Sequence, residues 1–142
     1  MNKDSIVFPL ANPVPEILPG EAIKAGAKIV ATRRSDYPNQ INNSLIFPSV
    51  FRGVLDVRAD KMTDKMLFVA AETLAGFRKE ITKIDIIPKM TKYDIFPLIA
   101  SKVSRKAIEQ GVAKEKYSEE ELYQRVKKKI EESRKRNENL FV

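Results

Sequence analysis

Two short apolar runs flank a segment that opens on Pro19 and closes on Gly26, and this arrangement limits the fold more than any other feature. The first run, Ile6 to Ala11, is continuously apolar, as in a strand buried on both faces of a parallel sheet. The second, Lys28 to Thr32, has the same character. Between them Pro19 suits the first turn of a helix and Gly26 suits its end, because proline lacks a donor that the first turn does not need and glycine accepts a left-handed stop. The pattern is therefore strand, helix, strand, with parallel strands and a right-handed crossover. Pro9 has no N–H for a ladder, so the first strand ends early or lies at an edge. Two parallel strands cannot bury both faces of a sheet or close its edges. The fold class is thus α/β: the second half of a Rossmann-like parallel sheet, followed by C-terminal helices. The first half is expected elsewhere, in the same chain or in another.

Downstream the periodicity turns helical. Ile41 to about Val54 is apolar and mostly helical, with Pro48 as an interruption. Thr63 to Phe77 reads as an amphipathic helix capped by Thr63, with Met66, Leu67, Ala70, Ala71 and Leu74 on one face. Ile84 to Pro88 reads as an extended connection. Asp94 to Gln110 is a further helix, with Asp94 as its cap, Ile95, Ile99, Val103 and Ala107 on one face, and Gly111 as its stop. Ser118 and Glu121 form a capping box for the last helix, whose apolar stripe is only Leu122, Val126 and Ile130. The expected division is residues 1–113 as one body and 114–142 as a charged C-terminal helix.

Composition removes several chemistries. The 142 residues include no cysteine and no histidine. Disulfides, thiol nucleophiles, Cys/His zinc sites and every Ser-His pair are thereby excluded within this chain. No apolar run approaches the roughly 20 residues that span a bilayer, so no membrane segment is expected. The absence of cysteine suits a reducing compartment, and the expected location is cytoplasmic. The net charge of +7 is concentrated toward the tail, in Lys127-Lys128-Lys129 and Arg134-Lys135-Arg136. Glutamates interleave these runs and no aromatic residues do, which describes a solvated helix face better than a nucleic-acid surface.

The side chains with chemical interest are amides: Asn12 in the loop after the first strand, then Asn39, Gln40, Asn42 and Asn43 in the loop after the second. Both loops follow the carboxyl ends of parallel strands, where α/β sheets bind ligands, and should lie on one edge of the sheet. An amide offers donors and an acceptor without adding charge, which suits a carboxylate, a hydroxyl and a carboxamide together. Asn, Pro and Ser are also ordinary turn formers.

Two strings narrow the choice. Leu10 to Ile17 (LANPVPEI) resembles a segment of the malic enzymes. Arg34 to Asn43 (RSDYPNQINN), with Phe47-Pro48 and Phe51 to Ala59 (FRGVLDVRA), resembles the next segment of the same enzymes, most closely the smaller prokaryotic type. The similarity runs from about residue 4 to residue 113. Arg33, Pro9 and Val14 depart from the usual glycine, alanine and aspartate. The resemblance implies oxidative decarboxylation of malate to pyruvate and carbon dioxide, with NAD or NADP as hydride acceptor and Mg or Mn as Lewis acid. It places Asn12 on the substrate and the nicotinamide ribose, Asn42 near the nicotinamide, and Asn43 on a malate carboxylate. It also implies that the catalytic residues, the metal ligands and the glycine-rich dinucleotide turn lie outside this chain, in a remaining N-terminal portion present in cis or in trans. The whole enzyme is then expected to be a homo-oligomer. Asp36 reads as a brace for Arg34 or the backbone. The alternatives are an inactive remnant and a non-enzymatic basic interaction module.

Overall fold

The computed structural model describes residues 1–138, with side chains through residue 136. Residues 139–142 of the expected C-terminal helix lie outside the described residues. The chain forms two compact units: Met1–Asn43 with Arg78–Lys89, and Ser44–Phe77 with the residues from Met90 onward.

The first unit is α/β. Strand β1 (Ile6–Val7) pairs in parallel with β2 (Ile29–Val30), with Ile6 opposite Ile29 and Val7 opposite Val30. Helix α1 (Pro19–Lys24) connects them, with proline in its first turn as expected. Its end is a Schellman motif: Gly26 N–H donates to Ile23 O at 2.9 Å and Ala27 N–H to Ala22 O at 3.0 Å, with Gly26 at φ +101°. Ala22, Ala27 and Val30 form the small core, flanked by Val7 and Ile17. The apolar run expected to be a strand from Ile6 to Ala11 is ordered as strand only over Ile6–Val7. Pro9, which cannot donate, stands two residues beyond. Ile6 is 59% exposed and Phe8 49%, as apolar strands without neighbours should be. Residues 78–89 contribute a tight turn in which Thr82 and Asp85 exchange backbone hydrogen bonds at 3.2 and 3.3 Å, braced by the Arg78–Asp85 ion pair. The expected extended connection thus begins inside a turn.

The second unit is helical: α2 (Phe47–Asp56), α3 (Asp64–Gly76), α4 (Ile95–Glu109) and α5 (Glu119–Glu138). Helix α4 is central and packs against the other three. Ile95, Ile99, Val103 and Ala107 are all fully buried, so its predicted stripe is the seam of the unit. Gly53 is where α2 approaches α4 most tightly: a Cβ there would stand 2.7 Å from Ala100 O and 2.9 Å from Val103 side-chain carbons. Ser104 Oγ donates to Gly53 O at 2.8 Å across the same contact. Thr63 caps α3, accepting from Met66 N–H at 3.4 Å and donating to Gln110 Oε1 at 2.8 Å. The box at α5 is closed, with Glu121 N–H on Ser118 Oγ at 3.2 Å and Ser118 N–H on Glu121 at 2.8 Å.

Three helical expectations change. Pro48 stands in the first turn of α2 and starts it, where a missing N–H costs nothing, instead of interrupting it. Asp94 has helical backbone angles, φ −64° and ψ −20°, and makes no side-chain cap. The turn already begins with Ile95 N–H on Lys92 O and Phe96 N–H on Tyr93 O. On α3 only Met66 and Ala70 are fully buried, and Leu67 is 39% exposed, so its buried stripe is narrower than the sequence suggests.

Candidate functional site

The two amide-bearing loops leave the carboxyl ends of β1 and β2, which parallel pairing sets side by side. Each is shaped by local chemistry. In the first loop Ala11 N–H donates to Glu16 Oε2 at 3.1 Å, which folds the proline-rich segment around Asn12. That backbone donor holds the Glu16 carboxyl below its ordinary pKa. Asn12 is exposed on this loop, and the Asn12–Pro13 peptide is cis. In the second loop Thr32 accepts Ile41 N–H on its carbonyl at 2.7 Å and Arg34 N–H on its hydroxyl at 3.1 Å.

Arg34 joins the loops. Its Nε and Nη2 grip Asp36 at 2.8 and 2.6 Å, and its Nη1 donates to Pro13 O at 3.4 Å. A bidentate pair of this kind holds the guanidinium in one plane. The Arg34 hydrogen bond keeps Asp36 below the usual carboxylate range. Asp36 therefore braces Arg34, as expected, and Arg34 carries that order to the Asn12 loop. The Tyr37 ring lies 5.4 Å from the guanidinium carbon. Arg33 is exposed and has none of the positive φ that a glycine there would allow.

The amides of the second loop divide into two kinds. Asn39 faces inward, only 7% exposed and at φ +57°. Its Nδ2 donates to Val30 O at 3.0 Å and Lys83 O at 2.8 Å, and its Oδ1 accepts Ile86 N–H at 3.0 Å. Gln40 pairs with Thr32 in a bridge, and its Nε2 donates to Arg33 O at 3.4 Å. These two build the loop. Asn42, half-buried, and Asn43, exposed at the start of a single 3-10 turn (Asn43–Leu45), follow them. Sequence reasoning grouped Asn39 with the ligand-facing amides. The usable signal was asparagine's tolerance of left-handed backbone in a turn.

The arrangement offers uncharged donors and acceptors at one edge of a parallel pair. It can orient a polar ligand and cannot by itself move protons at neutral pH. Asn12 and Asn43 are exposed, and Asn42 beside Asn43 is half-buried. No group of three or more Asp, Glu, His or Cys residues among those described is placed to hold a metal ion.

Comparison with known proteins identifies the family. The family described as malic enzyme, NAD binding domain, matches residues 1–108. The chain is 42% identical over 130 residues to the bifunctional malic/malolactic enzyme of Bacillus subtilis (strain 168), covering 90% of this chain and 32% of that protein. It is 41% identical over 116 residues to the NAD-dependent malic enzyme of Geobacillus stearothermophilus, covering 80% of this chain and 24% of that one. Among solved structures, the malic enzyme of Pyrococcus horikoshii Ot3 superposes with a TM-score of 0.89 at 52% identity, over 92% of this chain and 30% of that chain. The Entamoeba histolytica malic enzyme superposes with a TM-score of 0.95 at 44% identity, over 99% of this chain and 29% of that chain. The chain thus spans about a third or less of the length of these relatives. On these likenesses the chain belongs to the malic enzyme family, its residues 1–108 matching that family's NAD-binding domain.

Proposed function

We propose that this chain is the carboxyl-terminal part of an NAD(P)-dependent malate oxidoreductase that converts malate to pyruvate and carbon dioxide. The observation that carries the reading is the pair of amide loops at the carboxyl ends of β1 and β2, tied together by Arg34 on Asp36 and Pro13 O. In this reading Asn43 hydrogen-bonds a malate carboxylate, Asn12 reaches the substrate and the nicotinamide ribose, and Asn42 lies near the nicotinamide. The nicotinamide, when bound, supplies the hydride acceptor. The amides hold malate and cofactor in register, so their contribution is positional. The acid–base groups, the glycine-rich turn and the ligands for Mg or Mn belong to the remainder of the enzyme, as this chain covers only 32% of its Bacillus subtilis relative. In this reading the complete enzyme is a homo-oligomer that works in the cytoplasm. Among the described residues, no helix is long and apolar enough to cross a membrane.

The test is Asn43→Ala in the complete enzyme, with malate-dependent reduction of NAD or NADP as readout. Asn43 is exposed at a loop end, so the melting temperature should hold while kcat/KM for malate falls about tenfold or more, the worth of one hydrogen bond to a charged group. An unchanged kcat/KM would contradict the reading.

A further inference from the structure

The loop that carries Asn12 is short of backbone hydrogen bonds. Pro9, Pro13 and Pro15 have no N–H to donate, and among the described residues no backbone-to-backbone hydrogen bond involves residues 8–17. Two charged side chains take the place of a ladder. Before Asn12, Glu16 Oε2 accepts the Ala11 N–H at 3.1 Å; after it, Arg34 Nη1 donates to Pro13 O at 3.4 Å. The main chain is thus held at both neighbours of Asn12. The Asn12 amide is exposed and makes no hydrogen bond among the described residues. A free polar side chain on a backbone gripped at both sides is presented outward, to a ligand.

The two grips differ in reach. Glu16 acts within its own loop, five positions from Ala11, and sets that loop's shape. Arg34 acts from the second loop, 21 positions along the chain from Pro13, and sets how far Asn12 stands from the amides there. The 3.4 Å bond is long, and a freely rotating arginine would hold it poorly. Asp36 removes that freedom: its two bonds, at 2.8 and 2.6 Å, fix the guanidinium plane, so Nη1 is already aimed when it meets Pro13 O. The Ala11 N–H holds Glu16, and Arg34 holds Asp36, below the ordinary carboxylate pKa, so both carboxylates are charged at neutral pH.

We infer that Arg34 and Glu16 are positioning residues for the reaction: they touch neither malate nor cofactor, and fix the Asn12 amide where the substrate meets the nicotinamide ribose. This role rests on the malate reading of Asn12 and adds the groups through which Asn12 works. A group that orients reactants loses rate when it shifts by about 1 Å, even with every ligand contact still chemically available.

A double-mutant cycle in the complete enzyme tests this role, with kcat/KM for malate as readout. Asn12→Ala should lower it about tenfold. Arg34→Gln, which cannot form the fork, and Glu16→Ala should each lower it about fivefold. The melting temperature should hold in both, since exposed ion pairs and loop bonds contribute little to stability. Glu16→Gln keeps an acceptor for the Ala11 N–H and should recover most of the loss. In the Asn12→Ala background, Arg34→Gln should lower kcat/KM no further, because a group that acts only through Asn12 has nothing left to hold. A merely structural role would carry its full effect into that background. Parental kcat/KM for Arg34→Gln or Glu16→Ala, or an undiminished loss on top of Asn12→Ala, would overturn the positioning role and leave the malate reading in place. Parental kcat/KM for Asn12→Ala would overturn the malate reading of that residue, and the positioning role with it.

Discussion

Asn39→Ala should be among the most destabilising single changes in the α/β unit, though Asn39 sits in a loop. The side chain makes three hydrogen bonds, to Val30 O, Lys83 O and Ile86 N–H, at 3.0, 2.8 and 3.0 Å. At about 1 kcal/mol net for each bond, their loss costs about 3 kcal/mol. The residue also holds φ +57°, where alanine pays about 1 kcal/mol more than asparagine or glycine. The expected total is about 4 kcal/mol, a large share of the stability of a small domain. Asn39→Gly should recover only the backbone share, about 1 kcal/mol. Urea denaturation of the three proteins measures these differences. Hydrogen exchange at the Ile86 amide, which donates to Asn39 Oδ1, reports the same loss locally. A loss below about 1 kcal/mol for Asn39→Ala, or glycine no better than alanine, would refute the account.

Two other predictions concern the helical seam and the Asn12 loop. Gly53→Ala would put a methyl 2.7 Å from Ala100 O, so α2 and α4 must part, at a cost of about 1–3 kcal/mol; thermal unfolding with no loss would show that the seam yields freely. Glu16 has a folded pKa below the ordinary glutamate value, chiefly because of the Ala11 N–H. The Ala11–Glu16 bond is therefore at full strength above the ordinary glutamate pKa and is lost as pH falls through the lowered folded value. The protection factor of the Ala11 amide should fall in that acid range, and Glu16→Gln should abolish that fall; a protection factor unchanged through the acid range in the parent protein would contradict the assignment.

The sequence by itself determined the features that local chemistry can specify. Pro19 and Gly26 bounded α1 because a fixed φ and a left-handed stop are properties of single residues. The spacing of Ile95, Ile99, Val103 and Ala107 named the seam of α4, and all four are fully buried. Ser118 and Glu121 closed their box within one turn. Two loop strings pointed to the malic enzymes, and the parallel pair that carries those loops is present.

Tertiary structure decided what depends on partners far along the chain. Asn39 became a scaffold residue because Lys83 and Ile86, 44 and 47 positions away, meet its amide. The turn at residues 78–89 joined the α/β unit although helical sequence lies on both sides of it. Asp94 lost its capping role because the turn before it was already formed. Lys129, 73 residues from Asp56, joins Arg52 on that carboxylate, a pairing no local rule could name. Periodicity and capping rules act over a few residues, whereas satisfying a buried polar group depends on whatever the fold brings within about 3 Å.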